Sequence, residues 1–123
     1  MAKLNKNHSM LKRKARIKKS FSSSLGRHPR LIIFRSNKNI YAQLFDDNNQ
    51  KTLFSSSTLS KELQSKIKKI EGKSNQSKEV GYHIAGMLKK KKINKFIFDR
   101  NGYRFHGRVK AIADGIREKG IEF

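Results

Sequence analysis

The chain contains no cysteine. That excludes disulfide scaffolds, thiol nucleophiles and zinc knuckles together, and it agrees with a reducing compartment. Apolar runs are short, none near the roughly 18 residues of a membrane span. Cations between Lys12 and Lys19 also interrupt any secretory hydrophobic segment. The expectation is a cytoplasmic protein without a membrane partner, although a mitochondrial-type presequence shares the basic, acid-poor character of the N-terminal segment. Acid is the scarcest charge: 9 Asp and Glu face 30 Lys and Arg, for a net charge of +21. Asp46 is the first of them, and 12 Lys and Arg precede it. A segment that repels itself this strongly settles against an anion, and in a cell the commonest is a polyphosphate backbone.

What is present suits one small α/β domain behind a basic arm. Residues 1–29 offer little to pack; Met10, Lys14, Ile17 and Phe21 fall near helical spacing, and Ser20 to Gly26 reads as a flexible joint closed by Pro29. Residues 30–123 then hold patterned apolar blocks. Arg30 to Arg35 and Ile40 to Phe45 read as strands around a polar turn, with Ile40, Ala42 and Leu44 on one face and Tyr41, Gln43 and Phe45 on the other. A third strand at Lys51 to Ser55 completes an antiparallel meander. Leu63, Ile67 and Ile70 predict one helix, Gly72 to Ser77 a break, and Val80, Ile84, Met87 and Leu88 a second helix ending in Lys89 to Lys92. Lys95 to Asp99 is expected as a buried strand parallel to one of the first three, and Val109, Ile112, Ala113 and Ile116 as a last helix stopped by Gly120. The predicted fold is a four-stranded mixed sheet with helices packed on it.

Catalytic chemistry finds little support. His8, His28, His83 and His106 are scattered, with no His-Glu-x-x-His spacing, so neither a metal nor another cofactor is expected. Asp46, Asp47 and Asp99 lie at strand ends, where a two-metal nuclease keeps its carboxylates, but the first two sit in an ordinary turn with Asn48 and Asn49. Ser55 to Ser57 has neither a glycine elbow nor an adjacent base in sequence.

Two blocks suit nucleic acid better. Asp99 to Arg108 follows a strand and enters a helix, and it intersperses three arginines with Tyr103, Phe105 and His106. Arginine forks match phosphate, rings stack on exposed bases, and a helix start near Gly107 offers free amides. One of its two aromatic rings is expected to cover the core. The second block, Phe34 to Gln43, presents Arg35, Ser36 and Lys38 at a hairpin tip, with Tyr41 either in the core or on an open sheet face.

The order of these blocks is specific. Arg30 to Gln43, Glu79-Val80-Gly81 read as a helix start, and Phe98 to Asp114 running on to the ending Gly120 to Phe123 together resemble the bacterial L-eighteen family of large-subunit ribosomal proteins, from about Lys12 onward. Asn101 stands where that family usually has a glycine, and Lys89 to Lys92 replaces a helix end that usually carries an acid and a glycine. The resemblance implies a ribonuclease-H-like motif and no catalysis. It implies binding to 5S ribosomal RNA and help in attaching it to 23S ribosomal RNA in the central protuberance, beside ribosomal protein L-five and other proteins there, without homo-oligomerisation. Carried over, the RNA contacts are Lys12, Arg13, Arg16, Arg30, Arg35, Ser36, Lys38, Tyr41, Arg100, Tyr103, His106 and Arg108. The competing readings are a sequence-indifferent nucleic-acid packaging protein and a nuclease.

Overall fold

The computed structural model describes residues 11–16 and 27–123. Residues 11–16 are helical (α1); residues 1–10 and 17–26 of the expected arm, including the joint at Ser20 to Gly26, lie outside the described residues. The strands are β1 (Arg30–Arg35), β2 (Ile40–Asp46), β3 (Lys51–Ser57) and β4 (Ile97–Asp99), in the sheet order β3-β2-β1-β4. β1 and β2, and β2 and β3, pair antiparallel, whereas β4 lies parallel to β1. The expected mixed sheet is thus the observed one.

Alternation along the strands separates two faces. Leu31, Ile33, Ile40, Ala42 and Leu44 are buried, while their neighbours Phe34 and Tyr41, paired across β1 and β2, are exposed. Two long helices cover the buried face: α3 (Lys73–Lys90) supplies Val80, Ile84 and Leu88, and α4 (Gly107–Glu118) supplies Val109, Ile112 and Ile116. These helices approach closely because glycines meet at their crossing. A Cβ on Gly81 would stand 2.5 Å from the Ile112 carbonyl oxygen, and one on Gly115 would stand 2.5 Å from that of Lys78. Lys78 and Glu118 bridge the same helix pair at 2.7 Å, and the Tyr82 hydroxyl donates to Glu118. The ammonium and phenol bonded to it hold the Glu118 carboxyl below the ordinary range.

Three expectations need correction. The helix expected after Ser60 is only a 3-10 turn (Lys61–Leu63) followed by one α turn, α2 (Gln64–Ile67), although Leu63 and Ile67 do enter the core. The break expected over Gly72 to Ser77 narrows to Gly72, with φ +89°, and α3 begins at Lys73, so Glu79 to Gly81 lies inside the helix rather than at its start. Its polar first turns are tolerated because their side chains serve backbone carbonyls: Ser77 Oγ donates to Lys73 O (2.8 Å), Asn75 to Glu71 O (3.0 Å) and Gln76 to Ile70 O (3.0 Å). Finally, β4 pairs only from Ile97, although Phe96 before it is buried.

The Lys89 to Lys92 run ends α3 without the expected glycine. Lys92 takes φ +58°, its N–H reaches Lys89 O (3.1 Å), and the N–H of Ile93 reaches Leu88 O (2.9 Å). This is a Schellman ending with lysine in the left-handed position. α4 ends conventionally, at Gly120 with φ +87°.

Candidate nucleic-acid interface

The loop from β4 to α4 starts with a tight turn. Asn101 and Gly102 have φ of +54° and +82°, and Tyr103 N–H bonds to Arg100 O at 3.0 Å. Positive φ at both central residues is the type I′ pattern, which Asn-Gly favours. Asparagine is therefore compatible with the glycine position of the resembled family, and its N–H is held by Asp99 Oδ1 at 2.9 Å.

That turn brings the separate blocks together. Tyr103 is half-buried against the core, and its hydroxyl lies 3.3 Å from Arg35 N and 3.4 Å from Arg35 O. The Arg35 guanidinium lies over the Tyr103 ring, 4.9 Å from its centroid. Phe105 is the exposed ring of the pair, packed edge-on to Phe98. From α1, Arg13 Nε donates to Gly102 O at 2.9 Å, which docks α1 onto the loop. Arg13, Arg35, Tyr103, Arg104, His106 and Gly107 line one depression of about 320 Å³. Arg104, in this wall, is absent from the contacts carried over by resemblance. Its place within the arginine-rich block was the only signal that could have found it.

The other expected contacts divide by what already holds them. Lys12, Arg16 and Lys38 are exposed, and Arg100 is half-buried. Tyr41 is exposed, which resolves its two readings in favour of the open face, beside Phe34. Ser36 organises the hairpin tip: its N–H bonds to Asn39 O (2.8 Å) and its Oγ accepts from Asn39 N–H (3.2 Å). Arg108 donates to Ser36 O at 2.8 Å and so ties α4 to that tip, while Lys73 ties α3 to it through Asn37 O. His106 precedes α4 as its N-cap in extended conformation, without a side-chain capping bond. Arg30 is occupied from both sides, by Asp47 Oδ1 at 3.0 Å and Asp99 Oδ2 at 3.2 Å.

Those pairings also use up the carboxylates that a nuclease needs. Asp99 serves Arg30 and the Asn101 N–H, and Asp47 serves Arg30. Asp46 caps its own turn through Asn48 and Asn49, and the Asn49 amide foremost holds its carboxyl below the usual range. Among the described residues no three His, Asp or Glu converge as a metal would require. The tertiary structure does bring His83 Nδ1 to 2.7 Å from Ser56 Oγ, a neighbour that sequence order conceals. Ser56 is 2% exposed, however, so this pair joins α3 to β3 and faces no substrate.

An α/β domain that gathers arginines, a tyrosine and a histidine at one end, beside an open sheet face, has the make-up of a ribonucleoprotein component. Residues 4–123 match the family model described as ribosomal L18 of archaea, bacteria, mitochondria and chloroplast. The chain is 47% identical over 123 residues to the large ribosomal subunit protein uL18 of Prochlorococcus marinus (strain MIT 9312), covering 100% of both. It is 48% identical over 124 residues to the uL18 of Thermotoga petrophila, covering 98% of each, and 47% identical over 126 residues to that of Oleidesulfovibrio alaskensis, covering 98% of this chain and 99% of the other. The chain belongs to this family of large-subunit ribosomal proteins, which are structural components and not enzymes. Among the described residues no helix is long and apolar enough to cross a membrane.

Proposed function

We propose that the protein binds 5S ribosomal RNA and helps attach it to 23S ribosomal RNA in the central protuberance of the large subunit, working beside ribosomal protein L-five. The observation that carries this reading is the convergence of Arg13, Arg35, Tyr103 and His106 around one depression, in a domain that also exposes the paired rings of Phe34 and Tyr41 on the open sheet face. Phosphate is met by arginine and unstacked bases by rings, the combination that single-stranded and looped RNA requires. Residues 1–29 act as the basic arm and 30–123 as the RNA-binding domain. Lys12, Arg16, Lys38 and Arg100 add direct cationic contacts. Arg30, Ser36 and Arg108 contribute by holding the sheet edge and hairpin tip in place.

Binding to 5S ribosomal RNA, to an equal-length unrelated structured RNA and to duplex DNA, compared in about 0.15 M salt, tests the reading, because screening there trims nonspecific attraction. A large preference for 5S ribosomal RNA is expected. Equal affinity for all three would replace the proposal with a nonspecific nucleic-acid-binding protein.

A further inference from the structure

The depression between arm, hairpin and loop is built for more than general attraction. Its cations come from three separate segments: Arg13 from α1, Arg35 from the end of β1, and Arg104 from the loop before α4. No acid lines it. Two of the three guanidiniums are positioned. Arg13 is held through Nε by Gly102 O, its terminal nitrogens having no partner among the described residues, and Arg35 lies on the Tyr103 ring. Arg104 has no side-chain partner among the described residues. Gly107 forms part of the wall with φ +57°, and a Cβ there would meet nothing within 4 Å, so its glycine reflects backbone conformation and not crowding. Arg108, next in sequence, turns away to the carbonyls of the hairpin tip.

We propose that this depression is a clamp for one phosphate group, occupied by a backbone phosphodiester of the bound RNA, with Arg13, Arg35 and Arg104 as its donors and His106 at its rim. The inference rests on the RNA reading above and divides the labour within the loop: Arg104 contacts phosphate, and Arg108 is a positioning residue. Planar guanidinium forks arriving from three directions suit a tetrahedral oxyanion better than a flat carboxylate. Because α1 supplies Arg13, the clamp is complete only when the arm is docked on the loop.

Two measurements on the full-length protein test it. The first is a titration with inorganic phosphate, against chloride at equal ionic strength, followed by the amide resonances of Gly107 and the side-chain resonances of His106. Selective, saturable phosphate shifts that vanish in Arg104→Gln are expected, with Lys91→Gln, an exposed charge outside the depression, behaving as the parent. The second is the salt dependence of RNA binding. Arg104→Gln should lower the log–log slope by one phosphate's share, about 0.7 to 0.9, and Arg104→Lys should restore most of the slope but not the full affinity. Arg108→Gln should leave the phosphate shifts in place. Phosphate shifts no different from chloride, or equal slopes for Arg104→Gln and Lys91→Gln, would overturn the clamp. Preference for 5S ribosomal RNA with a silent Arg104 removes the clamp alone. Phosphate shifts without that preference remove the 5S reading and leave a phosphate site.

Discussion

The helix-covered face of the sheet and the arginine-lined end are held by opposite kinds of interaction. The first is mainly apolar, from Leu31 and Leu44 on the strands to Ile84 and Ile112 on the helices, all fully buried. The second is a set of polar and cation-ring contacts between segments distant in sequence: Arg13 to Gly102, Arg35 to Tyr103 and Arg108 to Ser36. The contrast teaches that stability and recognition are separable here. Packing determines whether the domain folds, and the polar contacts determine where its cations stand. Substitutions on one side should therefore move unfolding free energy, and those on the other the salt dependence of RNA binding.

The largest effect is expected from Ile84→Ala. It removes a fully buried side chain between α3 and the sheet and should cost about 2 to 5 kcal/mol in urea unfolding. RNA binding by the remaining folded molecules should keep its salt slope. A changed slope would show that the core reaches the interface and would break the comparison.

Next comes Gly115→Ala, which helix propensity alone would favour. The crossing with α3 forbids it, because the added Cβ would stand 2.5 Å from Lys78 O and 3.3 Å from Gly81 Cα. The helices must move apart, and a loss of about 1 to 3 kcal/mol is expected. Neutral or raised stability would mean that the two helices are not in contact at these glycines.

Arg16→Gln tests the other side. Arg16 is exposed on α1, so its removal should leave thermal and urea unfolding unchanged while lowering the RNA salt slope by about 0.7 to 0.9. A drop in stability without a slope change would place α1 with the core.

The same division explains what could be read from sequence. Strand alternation announced the buried set Ile40, Ala42 and Leu44, and helical spacing announced Val80, Ile84 and Leu88, because periodicity is a local record of which side faces the core. The start of α3 was obscured because Ser77, Asn75 and Gln76 have turn-forming composition, and only three-dimensional structure shows their side chains bonded to backbone carbonyls. Around the arginine-lined depression, composition pointed to the blocks that the fold brings together but not to the occupancy of each arginine. Arg30 and Arg108 look as available in sequence as Arg35, yet Arg30 is engaged by two carboxylates and Arg108 by a carbonyl of the hairpin tip. Arg104 became conspicuous only when the loop placed it opposite Arg13 and Arg35.

The smallest effect concerns the ends of α3 and α4, which solve one problem with different residues. Lys92 carries φ +58° where Gly120 carries φ +87°. A non-glycine residue held there pays about 1 to 2 kcal/mol for the left-handed conformation, whereas glycine gives back about 0.5 to 1 kcal/mol through its freer unfolded chain. Lys92→Gly should accordingly raise stability, by about 0.5 kcal/mol. Gly120→Ala should lower it by about 1 kcal/mol, all of it backbone strain since its Cβ would meet nothing within 4 Å. Lys92 lines a different depression, with Lys89, Ile93, Gly120 and Ile121, so losing its charge should leave the RNA slope unchanged. If the slope instead fell by a full phosphate, the lysine run would belong to the RNA-binding surface, and the left-handed lysine would be strain retained for recognition at the expense of stability.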